Sequence, residues 1–131
     1  MREHTHQFRP IYGDTDMMGV VYYGNYLRYF EAGRSELLRA AGFEYSRFEE
    51  AGYLLPVAEA HAKYHKPAKY DEALSLTTTV SEVRMGSIRI TYRLVRDRDQ
   101  VLIATGETLH ACIDRTGKVV RIPSMLREKL V

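Results

Sequence analysis

Two carboxylates stand one residue apart in the stretch YGDTDMMGVVYYGNYLRYFEAGR, Tyr12 to Arg34, and five tyrosines surround them: Tyr12, Tyr22, Tyr23, Tyr26 and Tyr29. An aspartate in a loop ordinarily accepts hydrogen bonds from nearby backbone N–H groups and so holds a turn. Shielded by aromatic surface, the same group is a stronger base and nucleophile, able to attack a carbonyl or to take a proton from water. Asp14 is read here as the loop cap. For Asp16 the residue alone supports either role, and the surrounding motif decides. The other reactive side chains offer less. His61 and His65 lie four apart, which on a strand puts them about 13 Å from each other, too far to share an ion, so no metal is expected. Cys112 falls on an alternating segment and reads as a packed thiol. Glu31 has Arg28 and Arg34 within helical reach and is expected to pair with one of them.

The elements that must position these groups follow from periodicity. Gln7 to Ile11 reads as a short strand that ends at Gly13, which leaves both acids in a loop. In NYLRYFEAGRSELLRAAG, the residues Tyr26, Tyr29, Phe30, Gly33, Leu37, Ala40 and Ala41 recur at spacings of three and four, predicting one helix of about four to five turns. Asn25 is its expected N-cap and Gly42 its stop. Gly33, at mid-face, allows close approach of a packed neighbour. After a possibly helical link, Glu44 to Gly52, the period changes to two. SIRITYRLV alternates strictly, ALSLTTTVSEV and VLIATGETLHACID are β-branched and of strand length, and LLPVAEAHAKYHKPA makes another strand closed by Pro67. Turn residues at YDEA, RMGS, RDRDQ and DRTG imply short connections and antiparallel pairing. The expectation is an α+β fold with one helix on an antiparallel meander, and a last helical turn or two after Pro123.

Composition bounds the rest. A chain of 131 residues with 45% hydrophobic content suits one domain over 1–131 with a modest core that a partner subunit would enlarge. The formal net charge of +2 does not point to nucleic acid or an acidic membrane as partner. One cysteine cannot form an internal disulfide, and neither a secretory leader nor a membrane-length apolar run is apparent, so a cytoplasmic location is expected.

Asp14-Thr15-Asp16, then Gly19-Val20-Val21-Tyr22, then Asn25-Tyr26 leading into a long helix resembles the 4-hydroxybenzoyl-CoA thioesterase-like, or YbgC-like, family of acyl-CoA thioesterases. YHKPAKYDEALSLTTTV and TLHACIDRTGKVVRIP are similar to that family's strand regions, so the resemblance spans nearly the whole chain. It implies a hotdog fold, an antiparallel sheet wrapped around one long helix, assembled into a homodimer or homotetramer with active sites at subunit interfaces. It further implies hydrolysis of an acyl-CoA thioester with no cofactor, coenzyme A being part of the substrate. By the motif, Asp16 takes the position of the catalytic aspartate, nucleophile or base, and the backbone N–H near Tyr23 that of the donor polarising the carbonyl. Burial among Tyr22, Tyr23 and Tyr26 would sharpen Asp16 as a base. Some relatives carry a His where Tyr23 stands; tyrosine is a donor and a poor base at neutral pH, which leaves Asp16 to act alone. Val21, Tyr22 and Tyr26 are expected to line the acyl pocket. Coenzyme A phosphates call for a basic rim, for which Lys63, Lys66, Lys69, Arg84 and Arg89 are candidates, with Arg84 and Ser87 best placed at a strand turn. The alternative is a non-catalytic acyl-thioester-binding subunit of the same fold. A dehydratase of this fold would pair a His with a helical Glu, and the predicted helix contains no His.

Overall fold

The computed structural model describes residues Met1–Val131 in the order β1 (Glu3–Phe8), a 3-10 turn (Tyr12–Asp14), α1 (Asn25–Ala40), α2 (Tyr45–Glu50), β2 (Tyr53–Leu54), β3 (Val57–Tyr64), β4 (Leu74–Val83), β5 (Ser87–Arg96), β6 (Val101–Ala111), β7 (Ile113–Asp114) and α3 (Ser124–Arg127). Five strands form one antiparallel sheet in the order β1-β4-β5-β6-β3, and β2 pairs with β7 apart from it. The β4–β5–β6 run is a meander because each alternates: Leu74, Leu76, Thr78 and Val80 on β4, then Ile88, Ile90, Tyr92 and Leu94 on β5, are buried at every second position. These rows face α1, whose buried side is Tyr26, Tyr29, Phe30, Gly33 and Leu37. Phe30 stacks on Tyr92 at 4.5 Å between ring centroids, so the helix lies along the concave face and the sheet curls around it. This is the α+β hotdog architecture.

Four expectations need correction. The first strand starts at Glu3 and ends at Phe8, before Ile11, because Pro10 brings no N–H to the ladder. It pairs with β4 residue by residue from Glu3↔Thr79 to Phe8↔Leu74. The last four strands are not a simple meander: β3 pairs with β6 at the far edge, and residues 65–73 carry the chain across to β4. Asp71, at φ 62°, turns that crossing segment instead of closing a hairpin. At the start of α1, Gly24 and not Asn25 occupies the cap position, and the Asn25 side chain donates to the Asp14 carbonyl at 2.8 Å. At the other end Ala40 is exposed, so the helix leaves the core one turn earlier than its apolar pattern implied. Gly42, at φ 80°, ends it as expected. No helix is long and apolar enough to cross a membrane.

Candidate active site

The loop between β1 and α1 is pinned by Asp14. Its Oδ2 accepts the Ile11 N–H at 3.2 Å and the Tyr29 hydroxyl at 2.8 Å, while its carbonyl takes the Tyr22 N–H at 2.9 Å and the Asn25 amide. Asp14 is therefore buried and occupied, in the cap role read from its type. Burial and the adjacent Asp14 carboxylate push the Tyr29 phenol far above its usual range, so it remains a donor.

Two residues on, the chain makes a tight turn. The Asp16 N–H donates to the Val20 carbonyl at 2.9 Å, the Gly19 N–H returns to the Asp16 carbonyl at 3.0 Å, and Gly19 sits at φ 78°, where a side chain would be strained. Asp16 Oδ1 accepts the Met18 N–H at 2.9 Å. Oδ2 has no protein partner within hydrogen-bond distance, and the side chain is half-buried. One oxygen thus orients the carboxylate while the other is free.

Asp16 lines a pocket of about 310 Å³ together with Val21, Tyr23, Tyr26, Tyr64, His65 and Lys66. Tyr26 is buried and its phenol is raised by that burial. Tyr64 packs against it at 5.2 Å and lies edge-on to Tyr23 at 6.2 Å, with the Tyr64 hydroxyl donating to the Tyr23 carbonyl at 3.4 Å. At the entry of α1, the N–H groups of Tyr23 and Gly24 donate to no backbone or side-chain acceptor, whereas Asn25 and Tyr26 already bond back to Tyr22 and Tyr23. Unpaired N–H groups at the positive end of a sixteen-residue helix are suited to a developing negative oxygen.

Of the residues expected at the site, the fold gathers Asp16, Val21, Tyr23 and Tyr26. It does not gather the others. Tyr22 turns outward, 47% exposed, with its ring 4.8 Å from that of Tyr23 and outside the pocket lining. Arg84 and Ser87 flank the β4–β5 turn, whereas the pocket opens at the Tyr64↔Ala104 and Ala104↔Leu94 rows. Leu94 lies seven residue steps along β5 from Ser87, about 23 Å. Within one protomer, Arg84 and Ser87 are at the opposite end of the sheet. Arg84 pairs there with Glu82, and Arg89 pairs with Glu107 at 2.8 Å, so neither is a free cation. Lys66 alone of the basic candidates lines the pocket. Nor is Asp16 enclosed by aromatic rings as expected, since Tyr23 is 61% exposed and only Tyr26 is fully covered. Glu31 pairs with no arginine; Arg28 reaches Asp14 instead, at 4.0 Å. Tyr64 and His65 were missed. Their only signal was position, at the end of a strand just before Pro67.

A sheet wrapped on one helix, with a half-free carboxylate in the loop that enters that helix, defines a hotdog protein with a site at the helix N-terminus. The chain belongs to the thioesterase-like superfamily, whose family pattern matches residues 12–130. It is 37% identical over 107 residues to the acyl-CoA thioesterase YbgC of Haemophilus influenzae, covering 81% of this chain and 77% of that one. Among solved structures, a hypothetical protein from Aquifex aeolicus superposes with a TM-score of 0.91 at 30% identity, covering 98% of this chain and 99% of that one. The DHNA-CoA thioesterase of Staphylococcus aureus superposes with a TM-score of 0.87, also at 30% identity, over 92% and 81% of the two chains.

Proposed function

We propose that residues 1–131 act as a single acyl-CoA thioester hydrolase domain, releasing a free carboxylic acid and coenzyme A. The observation that carries this reading is that Asp16, with one carboxylate oxygen free, and Tyr23, whose N–H is unpaired, line one pocket. Hydrolysis requires an oxygen to add to the thioester carbonyl carbon, a donor for the oxyanion so formed, and expulsion of the thiolate as the carbon–sulfur bond breaks. Asp16 Oδ2 serves the first need, either by attacking the carbon to give a mixed anhydride that water then hydrolyses, or by drawing a proton from the attacking water and passing it to the departing thiolate. The Tyr23 N–H, at the helix entry, serves the second. Water is the only co-reactant, so the reaction calls for no cofactor. Val21, Tyr26 and Tyr64 form the apolar wall for the acyl group, and Lys66 is suited to a phosphate of coenzyme A. The relatives support the activity, being named as acyl-CoA thioesterases at 31–37% identity.

Assembly is part of the proposal. β3 is an eight-residue edge strand that is exposed along almost its whole length, Val57 at 45% and Tyr64 at 47%. Such an edge is suited to pairing with a second copy. Antiparallel pairing about a two-fold axis would lay one protomer's Tyr64 end beside the other's Val57 end and cover the open pocket. We accordingly read the protein as a homodimer or homotetramer, and its single unpaired Cys112 suits the reducing cytoplasm.

The test compares the two acids by thiol release over a panel of acyl-CoAs. Asp16→Asn should keep fold, assembly and coenzyme A affinity while kcat falls by at least about 10². Asp14→Asn should mainly lower the melting temperature, because it weakens the charge-assisted bond from Tyr29. Near-normal turnover in a folded Asp16→Asn protein would overturn the mechanism. Tight binding with no turnover in the unaltered protein would favour the binding subunit.

A further inference from the structure

A second cavity, of about 330 Å³, lies between α1, β5 and α3, at the opposite end of the core from Asp16. Its walls are apolar: Leu37 from α1, Ile88 and Ile90 from β5, Leu126 and Leu130 from the C-terminal turn. Arg34, half-buried on α1, also lines it, as does His110.

Arg34 makes no salt bridge. No carboxylate lies within 4.0 Å of it, although nine arginine–carboxylate pairs occur elsewhere in the protein. Glu31 stands on the exposed side of the same cavity and does not reach it. The one hydrogen bond of Arg34 runs inward, from Nη1 to the Tyr92 hydroxyl at 3.5 Å. From there a buried chain continues through Thr108 at 2.7 Å to His110 Nε2 at 2.8 Å, and His110 Nδ1 meets the Leu55 carbonyl at 3.3 Å. The direction of this chain is determined. A carbonyl can only accept, so Nδ1 of the neutral ring carries the hydrogen; Nε2 then accepts from Thr108, Thr108 from Tyr92, and Tyr92 from Arg34. The chain is neutral throughout, so it satisfies one N–H of Arg34 and leaves the charge uncompensated. The remaining donors of a half-buried guanidinium stand beside an apolar cavity, an arrangement that an anion with an apolar tail completes on both counts.

We propose that this cavity is a binding site for an apolar monocarboxylate of medium chain length, with the carboxylate on Arg34 and the chain between α1 and β5. Within one protomer it shares no lining residue with the Asp16 pocket. A free acid suits the site better than an acyl-CoA because its anion stands at the end of the apolar chain, where Arg34 meets the apolar walls, whereas a thioester group at that point is neutral.

The experiment is calorimetric titration of the full-length protein with octanoate, hexanoate and 1-octanol. Octanoate should bind once per chain and at least tenfold more tightly than 1-octanol. Each methylene added from hexanoate upward should tighten binding about three- to fourfold until the cavity is full. Arg34→Gln should abolish the preference for octanoate over 1-octanol, Arg34→Lys should keep part of it, and Leu38→Trp, which fills the cavity from α1, should remove binding of both. An S-octyl thioether of coenzyme A should not displace octanoate. Equal affinity for octanoate and 1-octanol in the unaltered protein would overturn the proposal even if no Arg34 variant folds. Displacement by the thioether would overturn it too, since the chain would then occupy the thioester site.

Discussion

Asp14 and Asp16 have the same side chain and the same loop, and they differ in what their oxygens meet. Asp14 is enclosed by Tyr29, the Ile11 N–H and the entry of α1, so its charge is used to hold the loop. Asp16 has one oxygen tied to Met18 and the other open to a pocket. A buried group elsewhere illustrates the same dependence on surroundings. His110 is almost fully buried, and desolvation, reinforced by the Arg34 charge, lowers its pKa from 6.5 to about 4. Between those two values the unfolded chain binds a proton that the native ring refuses, so stability rises with pH across that window. Acidification from pH 6.5 to 4 should therefore cost about 3 kcal/mol from this residue, with no further loss from it below pH 4. Urea melts of the protein and of His110→Gln at pH 7, 5.5 and 4.5 check this: the variant should lose the His110 part of the slope, and identical slopes would refute it.

At the scale of elements, α1 fits the sheet because two glycines leave room for it. A Cβ on Gly33 would fall 2.6 Å from Thr78 Oγ1 and from a Leu76 methyl, and one on Gly106 would fall 2.2 Å from the Phe30 ring. The first was legible as a small residue at mid-helix. The second was not, because a glycine inside a strand pattern says only that something approaches closely and not what. Gly106 pairs with Tyr92 across β5–β6, and Phe30 stacks on Tyr92, so the ring has little freedom to withdraw. Gly106→Ala should cost about 1–3 kcal/mol through overpacking. Adding Phe30→Leu should recover part of that loss, although the leucine alone destabilises, and a double-mutant cycle on denaturant melts measures the coupling. Additive losses would mean that the two residues do not share the space.

For the whole molecule, the question is what one protomer leaves unfinished. The Asp16 pocket is open, the β3 edge is unpaired, and the cations expected to receive coenzyme A phosphates are split between Lys66 at the pocket and Arg84 at the far end of the sheet. The proposed oligomer, paired through β3, would cover the pocket and pair the edge, and light scattering at micromolar concentration should accordingly give a dimer or tetramer. In that assembly, Lys66→Ala and added salt should both raise KM for acyl-CoA with smaller effects on kcat. Arg84→Ala should do so only if a partner delivers it to the pocket. A stable, fully active monomer would sink this account of assembly.

Sequence alone determined the pieces whose signals are local. The period of α1 and of the central strands, the loop carrying both acids, the glycine stop at Gly42 and the motif from Asp14 to Tyr26 are each written within a few turns of chain, and helix and strand periodicity translate them directly. Placement across the chain was decided only by tertiary structure. The crossing of residues 65–73, which sends β3 to the far edge beside β6, brings Tyr64, His65 and Lys66 to Asp16 and takes Arg84 and Ser87 away from it. No residue in that segment announces the destination, because a strand's partner is selected by which edge and which apolar rows remain to be paired once the other strands and the helix have met.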